Sequence, residues 1–287
     1  MRNLNGKLDH VVPGDKSFDY YRSLVLREGF PLISLVVPTY NFEKYVGETI
    51  DSIKAQTLDS SLFEVLFVDD CSTDRTVGAT VEGIAGIENA SSIVTRQNGG
   101  SSRTKNYGIR SSRGRYVMLL DGDDFLEPTA LEATLRFMEQ NPGVKYSYSQ
   151  HRKVDSAGKP LYVKEGYDFS RERLLNFNFV GAVECFNREL FLEIGGYRDV
   201  LVEDYDFALR ASEVLGDGEI ARNPQVLYNH RLHGGNKSEG KEVVRQSAID
   251  VIRDSLRRKE GLVADVRFSP DFEVKEPYSC FEWGIAG

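Results

Sequence analysis

Residues 115–125 read RYVMLLDGDDF: an apolar run that ends in three carboxylates, Asp121, Asp123 and Asp124, with a single glycine among them. Like charges held so close repel one another, so the cluster calls for a positive partner. Mg2+ or Mn2+ suits it, since both take oxygen ligands and commonly complete their shell with a substrate's phosphates. Side chains of an extended segment repeat every second residue, which would turn Asp121 and Asp123 to one side, with Gly122 leaving room for a ligand. A lone D-x-D is more often a pair of turn acids. Here a second acidic strand end, Asp69–Asp70 in FVDD, shifts the balance toward metal binding. Of that second pair, one acid is expected to support the following STDRT segment and the other to accept a hydrogen bond from a nucleotide base. Further along, Glu203 and Asp204 open a helical pattern after the loop GGYRD. The helix dipole alone favours acids there, yet one carboxylate projecting into a cleft can take the proton of an attacking hydroxyl. His233 lies in the polar segment RLHGGNKS and is balanced between ligand and bystander; His230 is weaker, and His10 and His151 read as incidental.

These residues need a scaffold that gathers them. The pattern predicts a helix over 19–28, then a strand over Ile33–Val37 that stops at Pro38. Helix 43–56, strand FEVLFVDD, a helix after STDRT, strand SSIVTR, helix SSRTKNYGIRSS and strand RYVMLL follow. Strand–helix alternation of this kind indicates a parallel sheet of βαβ units, with ligands beyond the carboxyl ends of the strands. The acids and the Pro38–Thr39–Tyr40 segment all fall at that edge. After Asp124 the pattern changes: a helix from Pro128, a hairpin across DSAGK, a strand running into a helix at VGAVECFNREL, the helix EDYDFALRASEVLG, the strand QVLYNH and a long helix over 239–260 with a basic end. We divide the chain into an N-terminal extension (1–30), a main domain (31–238) with a nucleotide half to about residue 125 and an acceptor half after it, and a C-terminal helix and tail (239–287).

Composition narrows the classes. The 287 residues carry 40% hydrophobic and 28% charged side chains, as an ordinary globular protein does. A net charge of −8 argues against a nucleic-acid partner. The longest apolar run is about six residues, no secretory leader is evident, and Cys71, Cys185 and Cys280 form no disulfide framework or zinc site. A cytoplasmic location is expected, with peripheral contact at the inner membrane face left open by the basic helix end.

Four blocks, LVVPTYN, FVDDCSTDRT, NGGSSRTKNYGIRSSRGRYVMLLDGDD and FNRELFLEIGGYRDVLVEDYDFALR, resemble the inverting nucleotide-sugar glycosyltransferases of family 2 in order and spacing, from about Leu32 to Ser238. The resemblance implies an α/β GT-A fold with a mostly parallel central sheet flanked by helices and a C-terminal helical extension. It implies a metal-dependent, inverting hexosyl- or N-acetylhexosaminyl-transferase for polysaccharide or cell-envelope synthesis. Its partners would be a nucleoside-diphosphate sugar, with a UDP-sugar favoured, and a saccharide or lipid-linked acceptor; its cofactor would be Mn2+ or Mg2+. Position by position, Pro38 and Tyr40 would pack on the nucleoside, Asp70 would read the base, and Lys105 would lie near base or phosphate, in TKN where the family has ARN. Asp121 would sit on the ribose or metal side, Asp123 would bind the metal with His233, Arg231 would approach the pyrophosphate, and Asp204 would be the general base beside Glu203. A non-catalytic sugar-nucleotide binder is the alternative. A nucleotidyltransferase is weaker, because PTYNFEKY lacks the glycine- and basic-rich loop expected after its first strand.

Overall fold

The computed structural model describes residues 18–181, 183–234, 241–261, 264–268 and 281–285. Helix α1 (Phe18–Glu28) leads into β1 (Ile33–Thr39), α2 (Val46–Lys54), β2 (Phe63–Asp69), α3 (Thr76–Ile84), β3 (Ala90–Val94), α4 (Ser101–Ser111) and β4 (Tyr116–Leu119). These four strands run parallel in the order β3-β2-β1-β4. Strands β1, β2 and β4 are buried along their whole length, which is why they read as continuous apolar runs. Along β1, Val36 faces one core with α4, whereas Leu35 and Val37 face the other with α2.

Strand β1 continues through Pro38, against the expectation that it stops there. The carbonyl groups of Val36 and Pro38 accept from Leu120 and Gly122, which follow β4. The proline nitrogen points the same way, beyond the last assigned pair Val36–Leu119, so its missing N–H leaves one gap between these two bonds.

The second half comprises β5 (Phe125–Leu126), α5 (Ala130–Gln140), β6 (Tyr146–Val154), β7 (Pro160–Lys164), α6 (Arg171–Asn176), β8 (Cys185–Asn187), α7 (Arg188–Ile194), α8 (Glu203–Val214), β9 (Ile220–Arg231) and α9 (Lys241–Glu260). Strand β8 pairs antiparallel with β4 and β6, β9 runs parallel to β6, and β5 pairs antiparallel with β9. The expected hairpin is β6–β7, joined by a turn in which Asp155 accepts from the backbone of Ala157 and Lys159. Two elements have no clear periodic signal: β5, too short to show one, and α6, capped by Ser170. Strand β9 also starts five residues before the apolar segment that announces it.

Helix α9 packs Val244, Ala248, Val251, Ile252 and Leu256 into the core beside α8. Two residues of its basic end are held by α8, Arg258 by the Glu213 carboxylate and Lys259 by the Glu213 carbonyl. Strands β10 (Ala264–Phe268) and β11 (Phe281–Ile285) form an antiparallel pair in what reads as an extended tail. Among the described residues no helix is long and apolar enough to cross a membrane.

Candidate active site

Beyond the carboxyl ends of β1, β2 and β4 lies a cavity of about 790 Å3. Pro38 and Tyr40 reach it from β1, Asp70 from β2, Lys105 from α4, Asp121 and Asp123 from the turn after β4, and Glu203 and Asp204 from α8.

The two acids after β2 divide their tasks. Asp69 accepts from the Thr39 hydroxyl and from both the amide and hydroxyl of Ser72, at 2.6–2.9 Å, and so fixes the STDRT turn. Asp70 turns to the cavity, where its carboxylate accepts from the amides of Gly99 and Gly100 at 2.9 and 2.7 Å. It thereby ties the start of α4 to β2.

The D-x-D segment is a tight turn, not the extended stretch expected: the Asp124 amide donates to the Asp121 carbonyl at 3.0 Å. Gly122 has a different task from the one its position suggests. A Cβ there would lie 2.6 Å from Thr39 Cγ2 and 2.9 Å from the Pro38 carbonyl, so glycine lets the turn close on β1 rather than opening space for a ligand. Asp124 accepts from the Tyr228 hydroxyl and the Arg231 amide, both at 2.7 Å. Burial, then Asp123 and Asp121, push its carboxyl well above the usual carboxylate range despite those donors.

Arg231 is 1% exposed and lies behind this turn. Its guanidinium donates to the Asp123 carbonyl at 2.8 Å and pairs with Glu48 at 2.5 Å, between the rings of Tyr45 and Phe125. In this arrangement it braces the acid-bearing loop. His233 Nε2 lies 2.8 Å from Asp123 Oδ2, and its ring stacks on Tyr45. Residues 235–240 of that loop lie outside the described residues.

On the opposite side Lys105 Nζ bridges two acids, 2.5 Å from Asp204 Oδ1 and 3.2 Å from Glu203 Oε1. Lys105 and Glu203 have side chains only 4% and 5% exposed, whereas that of Asp204 is 41% exposed. Glu203 also accepts from the Ser101 hydroxyl at 2.6 Å. Enclosure in the cleft raises the Asp204 carboxyl above its ordinary range; Lys105 opposes the rise, and Glu203 and Asp121 add to it.

One further acid escapes the sequence reading. Glu184 is 6% exposed, lines the cavity and accepts from the Tyr197 hydroxyl at 3.3 Å. Burial, with Asp204 nearby, pushes its carboxyl up to about 8 while Lys105 offsets part of that rise. The available signal was an ionisable residue at the head of an otherwise apolar strand, VECF.

Among the described residues no group of three or more His, Cys, Asp or Glu is gathered to hold an ion. Asp123 and His233 do offer one oxygen and one nitrogen within 2.8 Å of each other. Such a pair fits a divalent ion whose remaining ligands are water and phosphate oxygens.

With this geometry in place, the comparisons identify the class. The chain belongs to glycosyl transferase family 2, whose model matches residues 34–191. An uncharacterized glycosyltransferase of Haemophilus influenzae is 30% identical over 267 residues, covering 86% of this chain and 82% of that protein. A chondroitin synthase of Escherichia coli is 30% identical over 234 residues, covering 79% of this chain and 33% of that protein. The chain thus spans about a third or less of several longer curated relatives. The fold is GT-A. Staphylococcus aureus TarS 1-349 in complex with UDP-GlcNAc superposes with a TM-score of 0.62 at 20% identity, over 79% of this chain and 72% of that one. The mannosyltransferase PcManGT of Pyrobaculum calidifontis, in complex with GDP-Man and Mn2+, gives 0.62 at 18% identity, over 83% and 71%.

Proposed function

We propose that the protein is a divalent-metal-dependent, inverting glycosyltransferase that moves a sugar from a nucleoside-diphosphate sugar, with a UDP-sugar favoured, to a glycan or lipid-linked acceptor. The observation that carries the reading is Asp204: a water-accessible carboxylate held by a buried lysine, in the same cavity as the nucleotide edge of the sheet. The names of similar structures support a sugar-nucleotide donor and a divalent ion.

In this reading Pro38, Tyr40 and Asp70 form the nucleoside side, and Asp121 stands between nucleoside and sugar. Asp123 and His233 would hold the ion, whose chemistry is to offset charge on the departing diphosphate. Inversion requires that the acceptor hydroxyl attack the anomeric carbon from the face opposite the leaving group. Its proton passes to Asp204, whose raised carboxyl makes it a stronger base than an exposed aspartate. Lys105 and Glu203 orient that carboxylate, and fixing two substrates in line supplies several more kcal/mol.

The test is nucleoside diphosphate release from a panel of UDP- and GDP-sugars with Mn2+, in wild type and Asp204→Asn. Loss of about 10²–10⁴-fold in turnover, with nucleotide affinity kept, is expected. Unchanged turnover removes Asp204 from its role. Nucleotide binding without turnover in the wild type favours the non-catalytic binder, and pyrophosphate release from a nucleoside triphosphate and a sugar phosphate favours a nucleotidyltransferase.

A further inference from the structure

Glu184 stands one residue before β8, and its carbonyl accepts from the Leu119 amide at 3.2 Å, at the end of β4. The residue in front of it, Val183, has a φ of 40°, a conformation that is costly for a β-branched side chain and that functional sites often keep. Val183 packs into the core beside α2, whereas Glu184 meets Tyr197 of the core beside α4. The strained link thus presents a carboxyl to the cavity wall, with only 6% of the residue exposed.

Tyr197 connects that carboxyl to the base. Its hydroxyl donates to Glu184 Oε2 at 3.3 Å, and its ring stacks on Phe207 of α8 with centroids 4.4 Å apart. Its amide donates to Asn106 Oδ1 at 2.8 Å and its carbonyl accepts from Asn106 Nδ2 at 2.7 Å, which clamps it to α4. Gly196 permits the clamp, since a Cβ there would lie 2.6 Å from Asn106 Oδ1. Lys105 Nζ stands over the same ring, 5.3 Å from its centroid. One tyrosine therefore spaces the helix that carries Lys105 from the helix that carries Asp204, and Glu184 holds its hydroxyl end.

Charge decides what Glu184 can do there. Lys105 already serves Asp204 and Glu203, so a third carboxylate would compete for the same ammonium. The titratable groups that act on Glu184 are Asp204 of α8, Lys105 of α4, Tyr146 of β6 and Tyr197. Burial and Asp204 raise its carboxyl to about 8 and Lys105 draws it back, whereas burial keeps both tyrosines protonated beyond that pH. At pH 7 the carboxyl is neutral and makes no claim on the lysine. Once ionised, it would repel Asp204 and pull Lys105 away from it.

We propose that Glu184 is a positioning residue for the proton transfer: an uncharged carboxyl that, through Tyr197, fixes the separation of Lys105 and Asp204 and leaves the lysine to the base. The proposal rests on the glycosyltransferase reading, with Asp204 as that base.

The test is the pH dependence of kcat/KM for the nucleotide sugar that the wild type turns over, measured on the full protein with Mn2+. The wild type should show an alkaline limb with its midpoint near pH 8. Glu184→Gln cannot ionise, so the ratio of its rate at about pH 9 to that at pH 7 should exceed the wild-type ratio about ten-fold. Glu184→Ala leaves the Tyr197 hydroxyl without its partner and should lower kcat about ten- to hundred-fold with UDP affinity kept; Glu184→Gln should recover most of that loss. An alkaline limb that persists in Glu184→Gln overturns the proposal, as does a kcat in Glu184→Ala equal to that of the wild type. So does a loss in Glu184→Ala that falls on UDP affinity and melting temperature rather than on kcat, which would make Glu184 structural only. Absence of transfer by the wild type from every nucleotide sugar would overturn the glycosyltransferase reading first, and this role with it.

Discussion

Replacing Lys105 by methionine removes one cation and strands two acids. Lys105 and Glu203 are almost wholly enclosed, and breaking a buried pair by deleting one partner costs about 3–5 kcal/mol. Asp204 is 41% exposed and can recover part of its hydration, so the lower end, about 3 kcal/mol, is expected. For a domain of this size that corresponds to a fall of roughly 5–10 °C in melting temperature. A second change, Glu203→Gln in the same background, should return at least about 1 kcal/mol, because the stranded charge is the main penalty. Catalysis carries an independent signature. Lys105 holds the Asp204 carboxyl down, so its loss moves that carboxyl further up and shifts the acid limb of the kcat/KM profile to higher pH. Thermal melts, urea titrations and a pH–rate series read all three effects. A variant that melts within about 2 °C of wild type and keeps its acid limb would refute the pairing as described.

Glu184→Gln tests the buried neutral acid. The folded carboxyl stands at about 8 against an ordinary 4.5, so between those values the folded chain keeps a proton that the unfolded chain has released. Its contribution to stability is therefore full below pH 4.5 and lost as pH rises to about 8, on the order of 4 kcal/mol in all. Glutamine lacks this slope, so urea midpoints should move in favour of the variant from pH 5 to pH 8; a constant gap would count against it. Gly122→Ala places a methyl 2.6 Å from Thr39 Cγ2 and should cost about 1–3 kcal/mol, with weaker Mn2+ uptake measured by calorimetry. Arg231→Met should cost about 3–5 kcal/mol in urea unfolding, since it empties a buried site and leaves the Asp123 carbonyl without its donor, and Glu48→Gln, which takes the counter-charge from that buried guanidinium, about 1–3 kcal/mol.

What could be read in the sequence is what local pattern encodes. Strands β1, β2 and β4 are buried on both faces, so they appear as unbroken apolar runs, and the acids that end them mark the ligand edge. Pro38 misleads because proline usually ends a strand, yet here its carbonyl still accepts from Gly122 and only one ladder N–H is missing. The D-x-D segment misleads in a related way. Its spacing suits a strand, but the chain turns there, and Gly122 allows the turn to close against Thr39. Arg231, expected to approach the pyrophosphate, is instead buried behind the acid turn and paired with Glu48 from another element. His151 and Lys164 likewise become neighbours only through strand pairing.

The acids that seemed to gain nothing by crowding turn out to be managed one at a time. Asp69 is satisfied by two hydroxyls and an amide, and Asp70 by the amides that open α4. Asp124 takes a tyrosine hydroxyl and a backbone N–H, and Asp123 faces an imidazole. Glu203 and Asp204 share one lysine, and Glu184 keeps its proton. Only Asp204 among the last three combines a cation with access to water, and that is what separates a base from a structural carboxylate. A site built this way can fold before any ion arrives, because little of its charge depends on the ion. Binding an ion at Asp123 then requires exchanging the His233 contact for coordination by both groups. His233→Ala should therefore weaken Mn2+ affinity while the fold stays intact. A melting temperature that fell together with Mn2+ affinity in that variant would show that the acid turn relies on its ion after all.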